Sequence, residues 1–159
     1  MGDLLELTGR AEATHFWFRG FRAFVAPVLE QIAAGRRDLR LIDCGCGTGN
    51  NLSLLEPYGT SFGFDLTQEG ARRARHRGRP AVQANIERIP YATGTFDVAT
   101  SFDVLQSVPD DRAALREMAR ILRPGGYAVL NVSALELLRA DHAEVWNELR
   151  RYKIGRAHV

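Results

Sequence analysis

The sequence has little cysteine and no long apolar run. Its two cysteines, Cys44 and Cys46, stand two positions apart at the end of an apolar segment. That spacing provides neither the four ligands of a structural zinc site nor the geometry of an ordinary disulfide, so we expect reduced thiols and no metal. No apolar stretch approaches the roughly 20 residues of a membrane-spanning helix. Residues 1–16 also lack a basic and then apolar secretory signal, which favours a cytoplasmic protein without a membrane partner.

The sequence also lacks an excess of charge of either sign. The chain has 21 Lys and Arg against 19 Asp and Glu, a net charge of +2, which is too small to indicate a nucleic-acid partner. The basic run "ARRARHRGR" at residues 71–79 has the spacing of a solvated helix face. With 159 residues and 45% hydrophobic content, the chain is long enough for one core and too short for two ordinary domains. Nothing in it indicates an oligomeric state.

Helical and strand patterns alternate along the chain. A first helical block covers residues 12–35, where Pro27 could break the helix. Strands are predicted at residues 39–43, 60–65, 80–85, 95–102 and 127–133, and helices at 50–55, 67–78, 109–126 and 134–152. This alternation predicts an α/β fold with a Rossmann-like, doubly wound, mostly parallel sheet and helices on both faces. A ligand would lie beyond the carboxyl ends of the strands.

The stretch "LRLIDCGCGTGNNLSLL" leads from the first strand through Gly45, Gly47 and Gly49 into a helix. A dinucleotide site needs G-x-G-x-x-G for its pyrophosphate, whereas this spacing is G-x-G-x-G after Asp43. A carboxylate there would repel a pyrophosphate and attract an ammonium or sulfonium, so the loop favours a cationic nucleoside. Asp65, at the next strand end, could accept hydrogen bonds from ribose hydroxyls. A tight turn without a ligand and a nicotinamide-dependent oxidoreductase remain alternatives.

Five ordered stretches carry a wider resemblance. "DCGCGTG" fits an acid-x-G-x-G-x-G signature, "GFD" an acidic second strand end, and "ANIERIPY" a third-strand signature in which Asn85 replaces the usual Asp. "GTFDVATSFDVLQSVPD" and "LREMARILRPGGYAVLNV" follow in order, and "HFWFRGFR" precedes them all. Together they resemble the class I S-adenosylmethionine-dependent methyltransferases, particularly those that modify small molecules. The resemblance implies S-adenosylmethionine as cofactor and a C-terminally truncated domain with five of the family's seven strands.

The resemblance also implies which residues contact the cofactor. Asp65 would bind the ribose, and Leu66 would cover a face of the adenine. Asn85 would accept a hydrogen bond from the adenine amino group, and the backbone of Ile86 would contact the ring. The methionine end would be held by the larger set of Asp43, Gly45, Cys46, Gly47 and Gly49, with backbone oxygens of Ser101 and Phe102 facing the ammonium.

A sulfonium methyl group is already activated, so the protein mainly aligns it with the acceptor and no fixed catalytic triad is expected. Where the acceptor must lose a proton, the candidate bases are His15 and Asp103, whereas His142 is expected to be solvated. The chain lacks the polar-Pro-Pro-aromatic motif of DNA amino-methylating relatives and the downstream cysteines of pyrimidine C5-methylating relatives. These absences favour a small-molecule substrate. A noncatalytic binding module is the alternative.

The sequence indicates three segments. Residues 1–36 form an N-terminal helical segment that could act as a lid, and residues 37–153 form the methyltransferase domain, incomplete at its C-terminal end. Residues 154–159, "IGRAHV", are a translation of ATCGGAAGAGCACACGTC, which resembles a sequencing adapter, so we interpret them as read-through. We therefore expect the chain as given to bind cofactor weakly, to turn over poorly and to expose an apolar edge at its fifth strand.

Overall fold

A computed structural model describes Gly9, Glu12, residues 15–138, Ala143 and residues 147–153. His142 and residues 154–159 lie outside this described part. The helices are α1 (Phe16–Ala33), α2 (Leu52–Leu55), α3 (Gln68–His76) and α4 (Asp111–Ile121). The strands are β1 (Leu39–Cys44), β2 (Gly59–Asp65), β3 (Ala81–Gln83), β4 (Phe96–Phe102) and β5 (Leu122–Asn131). Short 3-10 turns occupy Glu56–Tyr58, Leu105–Ser107 and Glu136–Leu138.

The strands form one parallel sheet in the order β3-β2-β1-β4-β5. The chain winds from β1 outward to β3, then crosses to the other side of β1 and winds outward to β5. The winding therefore reverses between β1 and β4, where Asp43 is in register with Thr100. Their carboxyl ends open at this point, as expected for a ligand site in such a sheet. The predicted doubly wound fold class is confirmed.

Two apolar layers hold the helices against opposite faces of the sheet. Residues of α1, α2 and α3 pack with one face of β1 and β4, and α4 packs with the other face. β1 carries buried side chains toward both layers, including Leu41 at 1% exposure and Ile42 at 0%. A strand covered on both faces reads as a continuous apolar run, which explains why β1 is evident in the sequence.

Helix α1 leans on the sheet through a stripe of Val25, Leu29 and Ala33, all buried. Its first turn is capped by His15, whose Nδ1 accepts a hydrogen bond from the backbone N–H of Trp17 at 3.3 Å. The helix ends at Ala33, and the following residue, Ala34, is in the left-handed region. It continues through Pro27, so the break that was possible there does not occur. Pro27 lies on the exposed side, away from the stripe that fixes the helix.

The helix predicted at residues 134–152 is wrong at both ends. Ala134 and Tyr152 form a parallel β-bridge, with Tyr152 N–H donating to the Ser133 carbonyl at 2.9 Å. The backbone N–H groups of Leu149 and Arg150 both donate to the Gln106 carbonyl, at 2.8 and 3.2 Å. These long-range hydrogen bonds satisfy the backbone in place of a helical ladder, although the spacing of apolar residues suits a helix.

The outer surfaces of β5 and α1 carry exposed apolar side chains. Tyr127 and Leu130 of the edge strand β5 are 53% and 41% exposed, and Phe24 of α1 is 79% exposed. Such side chains add little to folding stability because they remain in water. Within the described part of the chain, no helix is long and apolar enough to span a membrane.

Replacing a fully buried ring should cost far more stability than replacing an exposed one. Phe96 is 0% exposed and packs edge-on against Phe62 and Tyr91, with ring centroids 5.7 and 5.1 Å away. We expect Phe96→Ala to lower the free energy of unfolding by about 3 to 5 kcal/mol and the matched Phe24→Ala to change it by less than about 0.5 kcal/mol. Urea unfolding measures both, and equal losses would contradict the assignment of the core.

Candidate functional site

The loop that follows β1 packs against two neighbouring elements and leaves its middle open. A Cβ on Gly45 would overlap the side chain of Val104, and a Cβ on Gly49 would lie 2.7 Å from the Ala74 Cβ in α3. Both glycines also have positive φ, 89° and 78°, so other residues would be strained there. A Cβ on Gly47 would meet no such atom within 4 Å. The loop is thus fixed on both sides, and its central residue faces free space.

Asp65 connects this loop to the end of β2. Its Oδ2 accepts a hydrogen bond from the Gly47 N–H at 2.9 Å, and its Oδ1 accepts from the N–H and hydroxyl of Thr67 at 2.8 and 2.6 Å. The Thr67 hydroxyl in turn accepts from the Gly70 N–H at 3.0 Å and caps α3. A Cβ on Gly70 would lie 2.6 Å from Oδ1, so its lack of a side chain makes room for the carboxylate.

Further hydrogen bonds bring together the ends of β1, β2 and β4. The N–H groups of Gly45 and Cys46 both donate to the Phe64 carbonyl, at 2.9 and 2.8 Å. The Ser101 hydroxyl donates to the Cys44 carbonyl at 3.2 Å. The predicted contacts for the methionine end and the ribose therefore lie at one edge of the sheet.

Asp43 is the buried acid of the site. It is 1% exposed, and its Oδ1 accepts a hydrogen bond from the Thr100 hydroxyl at 2.7 Å. Burial raises the pKa of Asp43 to about 7; the Thr100 hydrogen bond opposes this rise, and the nearby charge of Asp65 adds to it. The group thus changes charge near neutral pH. Because the Asp43 carboxyl is hardly exposed, a cation at the loop would be attracted by its negative charge at a distance and would not contact it directly.

The two cysteines of the loop are buried free thiols. Burial raises the pKa of Cys46, and it raises that of Cys44 well above its ordinary value, with the charge of Asp43 adding to both shifts. Both groups are therefore neutral thiols at physiological pH, and neutral thiols are poor nucleophiles. Their structural role is to fill small spaces around the loop.

The residues predicted to contact adenine follow β2 and β3. Leu66 is 64% exposed directly after Asp65, and Ile86 is 5% exposed. Asn85 Oδ1 already accepts a hydrogen bond from the Glu87 N–H at 2.8 Å. One acceptor position on that oxygen is thus used to shape a turn, and a second remains for a ligand amino group.

The two candidate bases have different surroundings. His15 is exposed, and its Nδ1 is the cap of α1. Asp103, directly after β4, has a positive φ of 57°, and its Oδ1 accepts a hydrogen bond from Asn131 Nδ2 at 2.8 Å. Desolvation raises the pKa of Asp103 and the charge of Glu148 adds to this rise, while hydrogen bonds from Asn131 and Gln106 lower it. A strained backbone and a raised pKa at a strand end are features of functional carboxylates.

Some residues that shape the site were not assigned to it from sequence. Thr100 hydrogen-bonds to Asp43, and Gly70 makes room for Asp65. Thr67 was predicted only as the first residue of a helix, yet it also orients the Asp65 carboxylate. The pattern acid-x-Thr-x-x-Gly at residues 65–70 is the signal that could have linked the last two contacts. No such signal exists for Thr100, because its contact requires β1 and β4 to be neighbours.

Known proteins resemble this chain in sequence and in fold. It is 32% identical over 142 residues to the malonyl-[acyl-carrier protein] O-methyltransferase of Herminiimonas arsenicoxydans, covering 86% of this chain and 54% of that protein. Its fold matches an S-adenosylmethionine-dependent methyltransferase from Mesorhizobium loti with a TM-score of 0.59 and 27% identity, over 68% of this chain and 53% of the other. A Methanococcus maripaludis protein at 18% identity shares the fold, with a TM-score of 0.73 over 83% of this chain and 64% of the other.

The matches cover most of this chain but only about half of its relatives. The chain spans between 38% and 54% of the length of the first curated relatives that it matches. Residues 42–130 match the family described as "Methyltransferase domain". This match covers more than half of the chain and includes the second half of β1, all of β2 to β4, most of β5 and the glycine loop. The chain therefore belongs to the methyltransferase domain family and has the class I, Rossmann-like fold of S-adenosylmethionine-dependent methyltransferases.

Proposed function

We propose that this chain carries the cofactor-binding part of an S-adenosylmethionine-dependent methyltransferase that acts on a small molecule in the cytoplasm. The observation that carries the proposal is the contact between Gly47 and Asp65. The Gly47 N–H donates to Asp65 Oδ2 at 2.9 Å. A carboxylate that could bind ribose is thereby held next to the loop glycine whose Cβ position is open. Adenosine and the group attached to its 5′ carbon could thus be held at adjacent points.

The residues present fit this cofactor. Asp65 Oδ1 already accepts two hydrogen bonds and Oδ2 accepts one, so Oδ2 can accept one from a ribose hydroxyl without losing a contact. The open side of Gly47 would admit the cofactor close to the backbone. The buried acid Asp43 favours a ligand of positive charge. When bound, S-adenosylmethionine supplies a methyl group on a positively charged sulfur.

The chain's own part in the reaction is mainly to position the methyl group and the acceptor, and to exclude water from them. The loop and the end of β4 would fix the methionine end, which sets the direction in which the methyl group faces. Asp103 would accept a proton from an acceptor that needs deprotonation, because it lies directly after β4 and its raised pKa suits a general base. His15 is the weaker base in this scheme, since its Nδ1 is used as a helix cap.

A small-molecule acceptor remains part of the proposal. The Herminiimonas relative is named for methylation of malonyl-[acyl-carrier protein] at oxygen, but this chain spans only about half of it. Acceptor contacts in such folds come from loops that vary between relatives. The acceptor is therefore proposed only as a class.

Calorimetry with two ligands tests the cofactor, and labelled methyl transfer tests the reaction. We expect S-adenosylhomocysteine to bind the chain and NADH not to bind. Incubation with methyl-labelled S-adenosylmethionine and a metabolite extract should then give labelled small molecules by mass spectrometry, at a low yield because the chain as given is expected to turn over poorly. Binding of NADH without S-adenosylhomocysteine would overturn the proposal in favour of an oxidoreductase. Binding of S-adenosylhomocysteine without labelled products would favour a noncatalytic module.

Adding a methyl group at Gly47 should block the cofactor while leaving the fold intact. Gly47→Ala places a Cβ in the open space of the loop, and the matched control Gly78→Ala adds one at a similar positive φ of 75° with no atom within 4 Å. Each should lose about 1 kcal/mol of stability from backbone strain. We expect only Gly47→Ala to weaken S-adenosylhomocysteine binding, by about tenfold or more. Equal affinities in the two variants would place the cofactor elsewhere.

The preference for a cationic ligand should depend on pH through Asp43. Its pKa of about 7 makes it mostly protonated at pH 6 and mostly ionised at pH 8, and the ionised form favours the sulfonium. We expect the affinity for S-adenosylmethionine relative to S-adenosylhomocysteine to rise about threefold to tenfold between these pH values. Asp43→Asn keeps an acceptor for Thr100 and should remove this part of the rise. Identical pH profiles in the wild type and the variant would contradict the role of Asp43.

A further inference from the structure

Helix α1 carries a second row of apolar residues on the side that faces away from the sheet. Phe16, Trp17 and Phe24 are 75%, 60% and 79% exposed, and Val28 is 37% exposed. With 3.6 residues per turn, these positions and the exposed Gly20 fall within about one third of the helix circumference. We call these five residues the outer stripe. It lies on roughly the opposite side of the helix from the buried stripe that packs on the sheet.

Apolar side chains on two opposite sides of a helix are typical of a helix that is covered on both sides. The sheet covers one side of α1, and the described residues leave the large rings of the outer stripe in contact with water. Exposed aromatic side chains grouped in this way mark interaction surfaces. The partner at this surface should therefore present apolar groups of its own.

The outer stripe is complementary to itself when it is reversed about Phe24. Gly20 and Val28 lie four positions before and after Phe24, and Trp17 and the exposed Gln31 lie seven positions before and after it. In an antiparallel pair of α1 helices with the two Phe24 rings side by side, Val28 of each helix would fill the space left by Gly20 of the other, as close packing requires. The indole N–H of Trp17 would lie opposite the side-chain amide of Gln31, whose oxygen can accept a hydrogen bond.

Charged residues flank the outer stripe in the same reversed order. Arg19 and Glu30 lie five positions before and six positions after Phe24, on one flank of the stripe, and both are exposed. In an antiparallel pair related by a two-fold axis this flank meets the same flank of the other copy, so Arg19 of each copy would face Glu30 of the other. The Arg19 guanidinium has no ion pair among the described residues. Glu30 accepts from Arg37 at 2.9 Å and has 55% of its side chain exposed, so it can also contact a cation from outside.

We infer that the outer stripe binds a second copy of this chain, with two α1 helices packed antiparallel around Phe24 and Arg19 of each copy paired with Glu30 of the other. A parallel pair would place like charges together, so the charges select the antiparallel arrangement. Because Phe21 packs on Phe102 at 5.0 Å between ring centroids, α1 begins near the carboxyl ends of the strands. The two candidate sites therefore lie at opposite ends of the helix pair. The contact includes none of the residues proposed to hold the cofactor, so it does not depend on the proposed function.

Sedimentation equilibrium of variants with exchanged charges tests the pairing. We expect the wild type to form a dimer, and Arg19→Glu and Glu30→Arg each to raise its dissociation constant about tenfold or more, because each places like charges opposite one another. The double variant with both exchanges restores the pair in reverse and should associate within about threefold of the wild type. Arg112→Glu makes the same charge change at an exposed position of α4 and should leave the dissociation constant unchanged.

Phe24→Ala gives a second test that involves no charge and applies if a charge variant does not fold. It removes the ring at the centre of the contact while changing the stability of the monomer little, and it should also weaken the dimer about tenfold or more. A dimer that none of these variants weakens would use another surface, such as the edge of β5, and would overturn the inference. Losses in the single exchanges that persist in the double variant would overturn it too.

A wild-type chain that stays monomeric at high micromolar concentration would likewise overturn the inference. Vesicles of phosphatidylcholine and phosphatidylglycerol then show what covers the outer stripe. Binding to them that Phe24→Ala abolishes would assign the stripe to a lipid surface and not to a second copy.

Discussion

The carboxylate of Asp65 is the contact on which the shape of the site depends. It joins the end of β2 to the glycine loop through Gly47 and to the start of α3 through Thr67. Gly47 lies 18 positions before Asp65 in the chain, so the loop needs a non-covalent contact to stay beside the start of α3, and a charged acceptor that binds donors from both provides it. Gly70 allows the approach because any side chain there would collide with Oδ1. A residue predicted as a ligand contact is thus also part of the scaffold.

The electrostatics of the site follow from that arrangement. Asp43 and Asp65 end neighbouring strands, so the charge of Asp65 makes ionisation of the buried Asp43 harder. The Thr100 hydroxyl opposes this effect with a single hydrogen bond. Two close carboxylates favour either a shared proton or a positive ligand. With a pKa of about 7, Asp43 is partly protonated at neutral pH, and a positive ligand would favour its ionised form. The neutral thiols of Cys44 and Cys46 add no competing negative charge.

The sequence predicted the sheet and the loop well because both depend on local patterns. Strands covered on two faces are continuous apolar runs, and Gly45 and Gly49 are required by close packing. β5 begins at Leu122, earlier than expected, because "RPGG" belongs to an irregular start of the strand, where the pairing with β4 shifts register between Phe96 and Val98. The segment after β5 was misassigned because hydrogen bonds to Gln106, distant in sequence, replace helical ones. Contacts such as Thr100 with Asp43 likewise become visible only when strand order is known.

Helix α1 combines a stabilising stripe with a destabilising feature one turn away. Val25, Leu29 and Ala33 exclude water and fix the helix on the sheet. One turn earlier, Nε and Nη2 of Arg22 are buried and find no hydrogen-bond partner among the described residues. Buried charged donors without a partner lower stability, so the apolar stripe has to hold the helix in place against this cost.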